Sequence, residues 1–494
     1  MEPGRDGSRC SENAVVPMGH LCPIEDVLDR SAGEAGLLDS TAVFTPAVPS
    51  PRLKPLGPFA LLRVLTSNPL EAWTKAHFEQ PIVMGGLSVG RVAVISDPAA
   101  IRHVLMDNCN NYQKDWLQRR VLSAGLTNGL LTAEGQQWRM QRRTFAPLFA
   151  RKSVLGFSAA MLDAAQIMVE RLGRHEGRIV DLAVQATRVT LDVLERTIFS
   201  DGFGRDREDI RLAMKTYFER IGRIDPFDVL GVPSLIPRPG ARKLRPMLRL
   251  FDEVIDAIIA ARRRRIAGGS DGVPRDILTL MLEATDPETD KTLSEAEIKA
   301  NILTFIAAGH ETTANCITWS LFLLSQSPRW RERVQAEADR ELNGDIGGMA
   351  ERLVETRAVI DETNRLFPPI TAISRAALGP DELAGHHIKR GTMVAIAPYV
   401  LHRHRALWSR PASFDPDRFL DGARATIDRF AYLPFGVGPR TCIGATFAIQ
   451  EATIVLATLM RHFTFELAPG HMVWPVQKVT LRPKGGLPMV VKRR

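Results

Sequence analysis

Along most of this chain, apolar residues recur every three or four positions, which is the spacing of one face of an α-helix. Nearly all of residues 137–265 follow this pattern. Strand-like patterns occur at 82–95, where glycines indicate a hairpin, and again only at 387–397 and 474–491. Asp97, followed by a proline, predicts the start of a helix just after the hairpin. The pattern therefore predicts a mainly α protein with small β-sheets.

The clearest single helix begins at a capping box formed by Ser294 and Glu297, and we expect it to run to Ser327. At its predicted length it would span roughly 50 Å, enough to cross a large domain. Its middle, residues 307–313, is a polar and titratable stretch between apolar turns, and such a stretch is costly to bury. A kinked helix with a back-bonded threonine would also explain the stretch when it is considered alone.

No internal linker divides the 494 residues, because the glycine- and proline-containing stretch 268–274 is short and lies between two helical patterns. Residues 1–50 mix acids, bases, glycine and proline. We expect 1–50 to be a flexible N-terminal segment and 51–494 to be one catalytic domain.

Five scattered cysteines, an odd number, argue against a disulfide framework and favour a reducing compartment, so we expect a cytoplasmic protein. The first 50 residues contain no secretory or membrane-spanning apolar run, which predicts a soluble chain without a membrane anchor. The formal net charge of +8 suits an acidic partner, and we favour an acidic protein because no nucleic-acid motif is visible. We expect a monomer.

One cysteine lies in a loop with a distinctive composition. Gly436 and Gly438 allow the backbone to turn sharply and approach a flat ligand closely, and Phe435 adds an apolar wall. Arg440 presents a guanidinium suited to a carboxylate. The proline-free pattern after Cys442 predicts a helix starting at that residue, whose positive end would favour a thiolate. These features indicate a heme-iron ligand.

The residues Phe435, Gly438, Arg440, Cys442 and Gly444 resemble the heme-binding signature of the cytochrome P-450 family. The resemblance implies a cytochrome P-450 fold, with heme b held between the long central helix and the Cys442 loop. It also implies that the iron is bound by the Cys442 thiolate.

The middle of the long helix resembles the oxygen-activation motif of the same family, from Ala308 through Thr313. In the family, the residue matching Thr312 guides protons to dioxygen, and the acid matching Glu311 helps to deliver them. Gly309 would leave room for a diatomic ligand.

Other positions gain a role only through the resemblance. Glu362 and Arg365 match a buried family pair that bonds to an arginine in a later loop, here Arg418, as a structural network. Trp138 and Arg142 share a helix face and resemble a family contact to the heme propionates.

Arg375, after a proline turn, is a further candidate for propionate binding. Arg139 and Arg143 lie on the same basic helix as Trp138, and we expect them to face solvent and to meet a redox partner.

The family chemistry is a monooxygenation that consumes dioxygen and two electrons, and a thiolate ligand favours cleavage of the O–O bond. No nicotinamide or flavin fingerprint follows a strand in this sequence, so separate electron donors are expected, a ferredoxin or flavodoxin with its reductase.

The resemblance also predicts a substrate pocket drawn from the loop 114–130, the segment 217–237 and several apolar positions, which favour a hydrophobic substrate such as a fatty acid, terpenoid or polyketide. The individual pocket residues are Phe305, Ala308, Ile370, Ala372, Ile373 and Trp474. Each of them is also a residue type that an ordinary core would use.

Two other functions remain open. A heme-thiolate peroxygenase or rearrangement enzyme would need no redox partner, although such relatives commonly replace the acid and alcohol that this chain keeps as Glu311 and Thr312. A non-enzymatic heme sensor would need an output domain, and the sequence leaves none over.

Overall fold

The computed structural model describes residues 43–87, 90–123, 128–200, 241–269 and 272–494. Most of the expected flexible segment 1–50 therefore lies outside the described residues, and so does the whole pocket segment 217–237. Val43–Arg494 groups into one compact unit.

Helices account for most of the described chain. They are α1 (Pro58–Ser67), α2 (Pro98–Arg102), α3 (Trp116–Ser123), α4 (Gly135–Phe145), α5 (Arg151–Leu155), α6 (Ser158–Gly173), α7 (Leu182–Leu194), α8 (Ala241–Ala267), α9 (Ile277–Glu283), α10 (Glu295–Ser325), α11 (Pro328–Glu341), α12 (Met349–Arg352), α13 (Val354–Leu366), α14 (Pro398–Leu401), α15 (Ala423–Thr426) and α16 (Ala445–His462). The predicted mainly helical fold is confirmed.

The strands are short. They are β1 (Ile82–Leu87), β2 (Gly90–Ile95), β3 (Tyr112–Gln113), β4 (Ile179–Asp181), β5 (Ile373–Ala377), β6 (Asp381–Leu383), β7 (His386–Ile388), β8 (Met393–Ile396), β9 (Phe463–Leu467), β10 (Pro475–Gln477), β11 (Leu481–Pro483) and β12 (Pro488–Arg493). A five-stranded sheet has the order β1-β2-β8-β5-β3, a three-stranded sheet has the order β4-β12-β9, and β6-β7 and β10-β11 are two-stranded.

The predicted hairpin is present as β1 and β2, which pair in antiparallel register from Ile82 opposite Ile95 to Leu87 opposite Gly90. The predicted helix start after it is also present, since the Asp97 carboxylate accepts a hydrogen bond from the Ala100 N–H at 2.7 Å. The expectation that strands return only late in the chain was wrong, because β3 and β4 are strands too. Both are too short to show a local pattern, and each is fixed by pairing with distant residues.

The long helix α10 begins where its capping box predicts. The Glu297 N–H donates to the Ser294 hydroxyl at 3.3 Å, and the Ser294 N–H donates to the Glu297 carboxylate at 3.0 Å. The helix ends at Ser325, two residues before its expected end. It packs against α7, α13 and α16, so its middle lies among the other helices.

Two hydrophobic clusters divide the structure. The larger one joins the helices around α10, where Trp319 stacks on Phe367 with ring centroids 3.9 Å apart. The smaller one lies under the five-stranded sheet and includes Ile95, Ile101 and Leu433. Leu433 comes just before the Cys442 loop, so the loop begins next to this smaller cluster. Across the described residues, no helix is long and apolar enough to cross a membrane.

Candidate functional site

The loop that carries Cys442 is held by its own backbone. The Cys442 N–H donates to the Phe435 carbonyl at 2.9 Å, which closes the loop. Gly436 and Gly438 have φ values of +69° and +80°, where other residues are strained. A Cβ atom at Gly438 would also overlap the Leu105 carbonyl oxygen. Glycine at position 438 is therefore required by both conformation and space.

The Cys442 side chain is exposed to an opening, although protein surrounds it. This burial raises the pKa of the Cys442 thiol, and the Gly444 backbone and the Arg142 guanidinium offset only part of the rise. The following helix starts at Ala445, with Gly444 as its N-cap, and not at the cysteine. The helix therefore begins three residues later than expected, and the Gly444 backbone lowers the pKa of the thiol, as expected of a helix start, without cancelling the effect of burial. A metal cation bound to the sulfur would lower the pKa of the thiol and favour the thiolate.

The middle of α10 also faces an open space. Ala308 is exposed, whereas Phe305, Ile306 and His310 on neighbouring positions of the helix are buried. Because α10 lies among other helices, an exposed residue at its middle indicates an internal cavity.

Gly309 lies where α7 crosses α10. A Cβ atom at this position would lie 3.2 Å from Cδ2 of Leu194 on α7. At the same crossing the Thr190 hydroxyl donates to the His310 carbonyl at 3.0 Å. Gly309 therefore allows α7 to approach α10 closely, and its role beside a ligand stays a prediction.

A cluster of cations lies between α3, α4 and the Cys442 loop. The guanidinium carbon of Arg440 lies 4.3 Å from the centroid of the Trp138 ring, and Arg440 also forms an ion pair with Glu134. The Lys114 ammonium group lies 3.4 Å from the other Glu134 oxygen and donates to the Ala133 carbonyl at 3.0 Å. Glu134 thus joins two of the cations.

Two further arginines complete this cation cluster, which consists of Lys114, Arg142, Arg375 and Arg440. Arg375 donates to the Ser374 carbonyl at 2.8 Å and to the Gln118 amide oxygen at 3.4 Å. Arg142 donates to the Thr441 carbonyl at 2.9 Å, directly beside Cys442. The structure therefore brings together the three arginines and the tryptophan that the sequence proposed.

The cation cluster carries a surplus of positive charge. Burial and the neighbouring Arg440 guanidinium lower the pKa of Lys114 to about 8, even though Glu134 opposes the change. Burial, and then the same guanidinium, also lower the pKa of Arg375. Two additional carboxylates would relieve this repulsion, and a heme has two propionates. The glycine-built loop, the cysteine and the surplus cations fit a heme.

The predicted acid and alcohol, Glu311 and Thr312, are adjacent on α10 but have different partners. The Thr312 hydroxyl donates to the Ala308 carbonyl at 2.7 Å, as a back-bonded threonine does. The Glu311 carboxylate accepts a hydrogen bond from the Thr480 hydroxyl at 2.7 Å. The Arg482 guanidinium lies 3.9 Å from the same carboxylate oxygen.

Among the predicted pocket residues, Phe305 is in the core. Its ring packs edge-on against Phe145 and Phe149, with centroids 5.3 Å and 5.1 Å away, and it is 9% exposed. Its assignment to the pocket stays a prediction, since an apolar residue type cannot distinguish core from pocket.

Other predicted pocket residues remain open to solvent. Ile370 and Ala372 are exposed, and Ile373 and Trp474 are half-buried. A Cβ atom at Gly436 would lie 3.7 Å from the Ile373 side chain, so Ile373 adjoins the Cys442 loop.

The three residues of the proposed structural network also meet. Glu362 and Arg365 form a bidentate ion pair with N–O distances of 2.6 Å and 2.8 Å, and both are fully buried. Arg418 lies 3.6 Å from Glu362 and donates to the Arg410 carbonyl at 3.1 Å.

The position of Arg143 corrects another expectation. Its guanidinium forms two hydrogen bonds of 2.8 Å with Asp286, which is buried, and lies 3.0 Å from Glu288. The Arg143 guanidinium is therefore held by ion pairs within the protein. Arg139 on the same helix is exposed.

Sequence reasoning missed the roles of Lys114, Glu134 and Thr480 in this site. None of them lies in a recognisable motif, and Thr480 is 169 positions from Glu311. No local signal in the sequence indicated these contacts.

Comparisons with known proteins agree with the geometry. Residues 48–489 match the sequence model of the cytochrome P-450 family. Cytokinin hydroxylase from Arabidopsis thaliana is 29% identical over 428 residues, covering 85% of this chain and 82% of the relative. Cyclooctatin synthase from Streptomyces melanosporofaciens is 30% identical over 443 residues, covering 89% of this chain and 94% of the relative. The crystal structure of the cytochrome P-450DA heme domain has a TM-score of 0.75 and 28% identity, covering 84% of this chain and 90% of that one.

The cysteine loop, the cations beside it and the helix across the cavity define a heme-thiolate protein. The chain belongs to the cytochrome P-450 family, whose enzymes bind heme b and incorporate oxygen from dioxygen. The predicted family, fold, cofactor and enzyme class are therefore confirmed.

Proposed function

We propose that this enzyme inserts one oxygen atom of dioxygen into a hydrophobic organic substrate, by C–H hydroxylation or a related oxidation. The observation that supports this most strongly is the exposed Cys442 side chain beside the cation cluster. A thiol open to a cavity and flanked by surplus positive charge suits a metal macrocycle that carries two carboxylates.

The residues of the site have separate proposed tasks. Cys442 ligates the iron, Phe435 and Gly436 shape the loop beneath it, and the cation cluster with Trp138 holds the propionates. Bound heme supplies the chemistry that activates dioxygen. Thr312 positions dioxygen through its hydroxyl, and Glu311 supplies protons.

Glu362, Arg365 and Arg418 hold the backbone behind the loop and take no part in the reaction. The buried ion pair of the first two, with Arg418 at 3.6 Å, supports this structural task.

The substrate is proposed to be apolar. Ala308, Ile370, Ala372 and Ile373 are at least partly open, and Trp474 is half-buried. Relatives of the chain carry the names cytokinin hydroxylase and cyclooctat-9-en-7-ol 5-monooxygenase. A fatty acid, a terpenoid or a polyketide would suit such a lining.

The electrons are proposed to come from a ferredoxin or flavodoxin with its reductase, and the enzyme is proposed to act as a monomer in the cytoplasm. The formal net charge of +8 favours an acidic donor. Arg139 is exposed and available for such a donor, whereas Arg143 is held by Asp286.

The decisive experiment compares the purified wild type with Cys442→Ser. The wild type should contain heme and show the reduced carbon-monoxide spectrum of a thiolate ligand, and the variant should lose that spectrum. Cys316→Ala, which changes a buried cysteine on α10, serves as the control and should keep it. An unchanged spectrum in Cys442→Ser would refute the ligand assignment.

A second experiment tests the reaction. A library of hydrophobic compounds is screened for shifts of the heme spectrum, and each hit is incubated with surrogate donors and isotopically labelled dioxygen. One labelled oxygen atom in the product supports monooxygenation. Product formed with peroxide, but none with donors and dioxygen, would instead favour a peroxygenase or a rearrangement enzyme.

A further inference from the structure

The tip of the β10–β11 hairpin reaches the acid of α10. The Thr480 hydroxyl donates to the Glu311 carboxylate at 2.7 Å and accepts a hydrogen bond from the Asn315 amide at 3.0 Å. An amide N–H₂ group can only donate, and an ionised carboxylate can only accept. The hydroxyl proton of Thr480 is therefore directed toward Glu311.

Two of the three residues in this contact are buried. Thr480 is 3% exposed and Asn315 is 6% exposed. The next residue, Leu481, accepts a hydrogen bond from the Trp319 indole at 3.1 Å and donates its N–H to the Pro369 carbonyl at 3.0 Å. The hairpin tip is thus tied to α10 and to the turn that precedes Ile370.

Arg482 on the same hairpin also lies near this carboxylate oxygen. Its guanidinium lies 3.9 Å from that oxygen, and its side chain is 40% exposed, so solvent weakens the attraction. The Thr480 hydroxyl therefore lies closer to the Glu311 carboxylate than the Arg482 guanidinium does, and it is the better placed of the two to orient that carboxylate. The Thr312 hydroxyl meanwhile donates to the Ala308 carbonyl and not to Glu311.

We propose that Thr480 is a positioning residue that holds Glu311 in a resting orientation and so controls when the acid can deliver protons. The proposal rests on the proposed monooxygenase function. It extends that function to the hairpin, since the same hairpin tip contacts the turn before Ile370, a residue of the proposed pocket. A substrate that displaces this turn would release Glu311.

The test compares wild type with Thr480→Val, which removes the hydroxyl, and Thr480→Ser, which keeps it. Surrogate donors supply electrons, and peroxide released per electron consumed is measured without substrate and with a compound that shifts the heme spectrum. Thr480→Val should increase the substrate-free consumption of electrons about tenfold, as expected for the loss of a hydrogen bond to a charged group. Thr480→Ser should restore the wild-type value.

Thr318→Val is the matched control, because its buried hydroxyl lies on α10 and donates only to the Ala314 carbonyl at 2.7 Å. It should leave electron consumption unchanged. Heme content and the thermal midpoint of each variant show whether it folds.

A crystal structure of Thr480→Val provides a readout that does not depend on turnover. Glu311 should have turned away from the hairpin in that variant. If Glu311 keeps its orientation, or if electron consumption equals that of wild type, Thr480 has no positioning role. Failure of the wild type to reduce dioxygen would instead refute the monooxygenase function, and the orientation of Glu311 would still decide the role of Thr480.

Discussion

Arg365 and Glu362 face each other across one turn of α13, and neither side chain is exposed to solvent. The remaining N–H groups of Arg365 donate to the carbonyls of His402, Pro411 and Ser413 at 2.7–2.9 Å. One guanidinium thus ties α13 to the chain that leads into the Cys442 loop. A buried cation with this many partners organises backbone that has no regular secondary structure of its own.

Breaking this pair should destabilise the protein strongly. Glu362→Gln leaves the buried Arg365 charge without its counter-ion, and such a loss costs about 3–5 kcal/mol. The midpoint of urea denaturation should fall accordingly. Arg151→Gln removes one member of an exposed bidentate pair with Glu351 and should change the midpoint little. Equal effects of the two substitutions would contradict the special importance of the buried pair.

Thr312→Ala should separate electron consumption from product formation. The hydroxyl donates only to the Ala308 carbonyl here, so its loss leaves α10 intact. Without the hydroxyl, peroxide per electron should rise and product per electron should fall, on the order of tenfold. The Thr318→Ala variant, which loses a similar back-bonded hydroxyl, should behave like wild type. Unchanged coupling in Thr312→Ala would exclude a proton-guiding role.

Substitutions on the two sides of one ion pair should affect heme retention in opposite directions. Arg440→Gln removes a proposed propionate partner and should speed heme loss to a scavenging globin by about tenfold. Glu134→Gln removes the carboxylate that competes for Arg440 and Lys114, so heme loss should become slower. Both rates are read from absorbance. Faster loss in Glu134→Gln would mean that Glu134 mainly organises the cations.

Glu451 should make stability depend on pH. It is 1% exposed, and burial raises its pKa well above 4.5, although the Thr313 hydroxyl opposes the rise. Above pH 4.5 the carboxyl is therefore protonated in the folded protein and ionised in the unfolded chain. The folded state binds more protons, so the free energy of unfolding decreases as pH rises from 4.5 toward the raised pKa.

Glu451→Gln removes this dependence. Relative to wild type, its free energy of unfolding should increase progressively above pH 4.5 and should show no such gain below that pH. Denaturation curves between about pH 4 and 8 measure the difference. A difference that does not change with pH would show that Glu451 is ionised in the folded protein.

Electron transfer should depend on the exposed charge of Arg139. Arg139→Glu should lower the second-order rate with an acidic ferredoxin several-fold at low salt, and the effect should shrink as salt rises. Arg264→Glu makes the same change in net charge on the exposed end of α8 and should have a smaller effect. A rate that does not respond to ionic strength would refute the acidic-donor proposal.

Local signals in the sequence predicted the elements that depend on nearby residues. The capping box at Ser294 fixed the start of α10, and the glycine pattern predicted the β1–β2 hairpin, because each depends on contacts within a few positions. Strand β4 was missed because it is three residues long and exists through pairing with β12.

The site was predictable where motifs exist and unpredictable where contacts join distant segments. Cys442 and Arg440 were found from the composition of their loop and Trp138 from its resemblance to a family contact, and the structure brings Arg440 and Trp138 together. The contact of Thr480 with Glu311 joins a hairpin to a helix across 169 positions, so no periodicity encodes it. The sequence could not foresee that the Phe305 ring packs against two other phenylalanines, because an aromatic residue type suits both a core and a ligand pocket.

The contrast between Phe305 and Ala308 bears on how the enzyme can be engineered. A larger or smaller residue at position 305 would disturb the packing of Phe305 against Phe145 and Phe149. Such a substitution would lower the stability of the protein before it changed substrate selectivity. The alanine, one turn further along, borders open space, so a mutant library centred there can vary the shape of the reaction chamber while the scaffold stays intact.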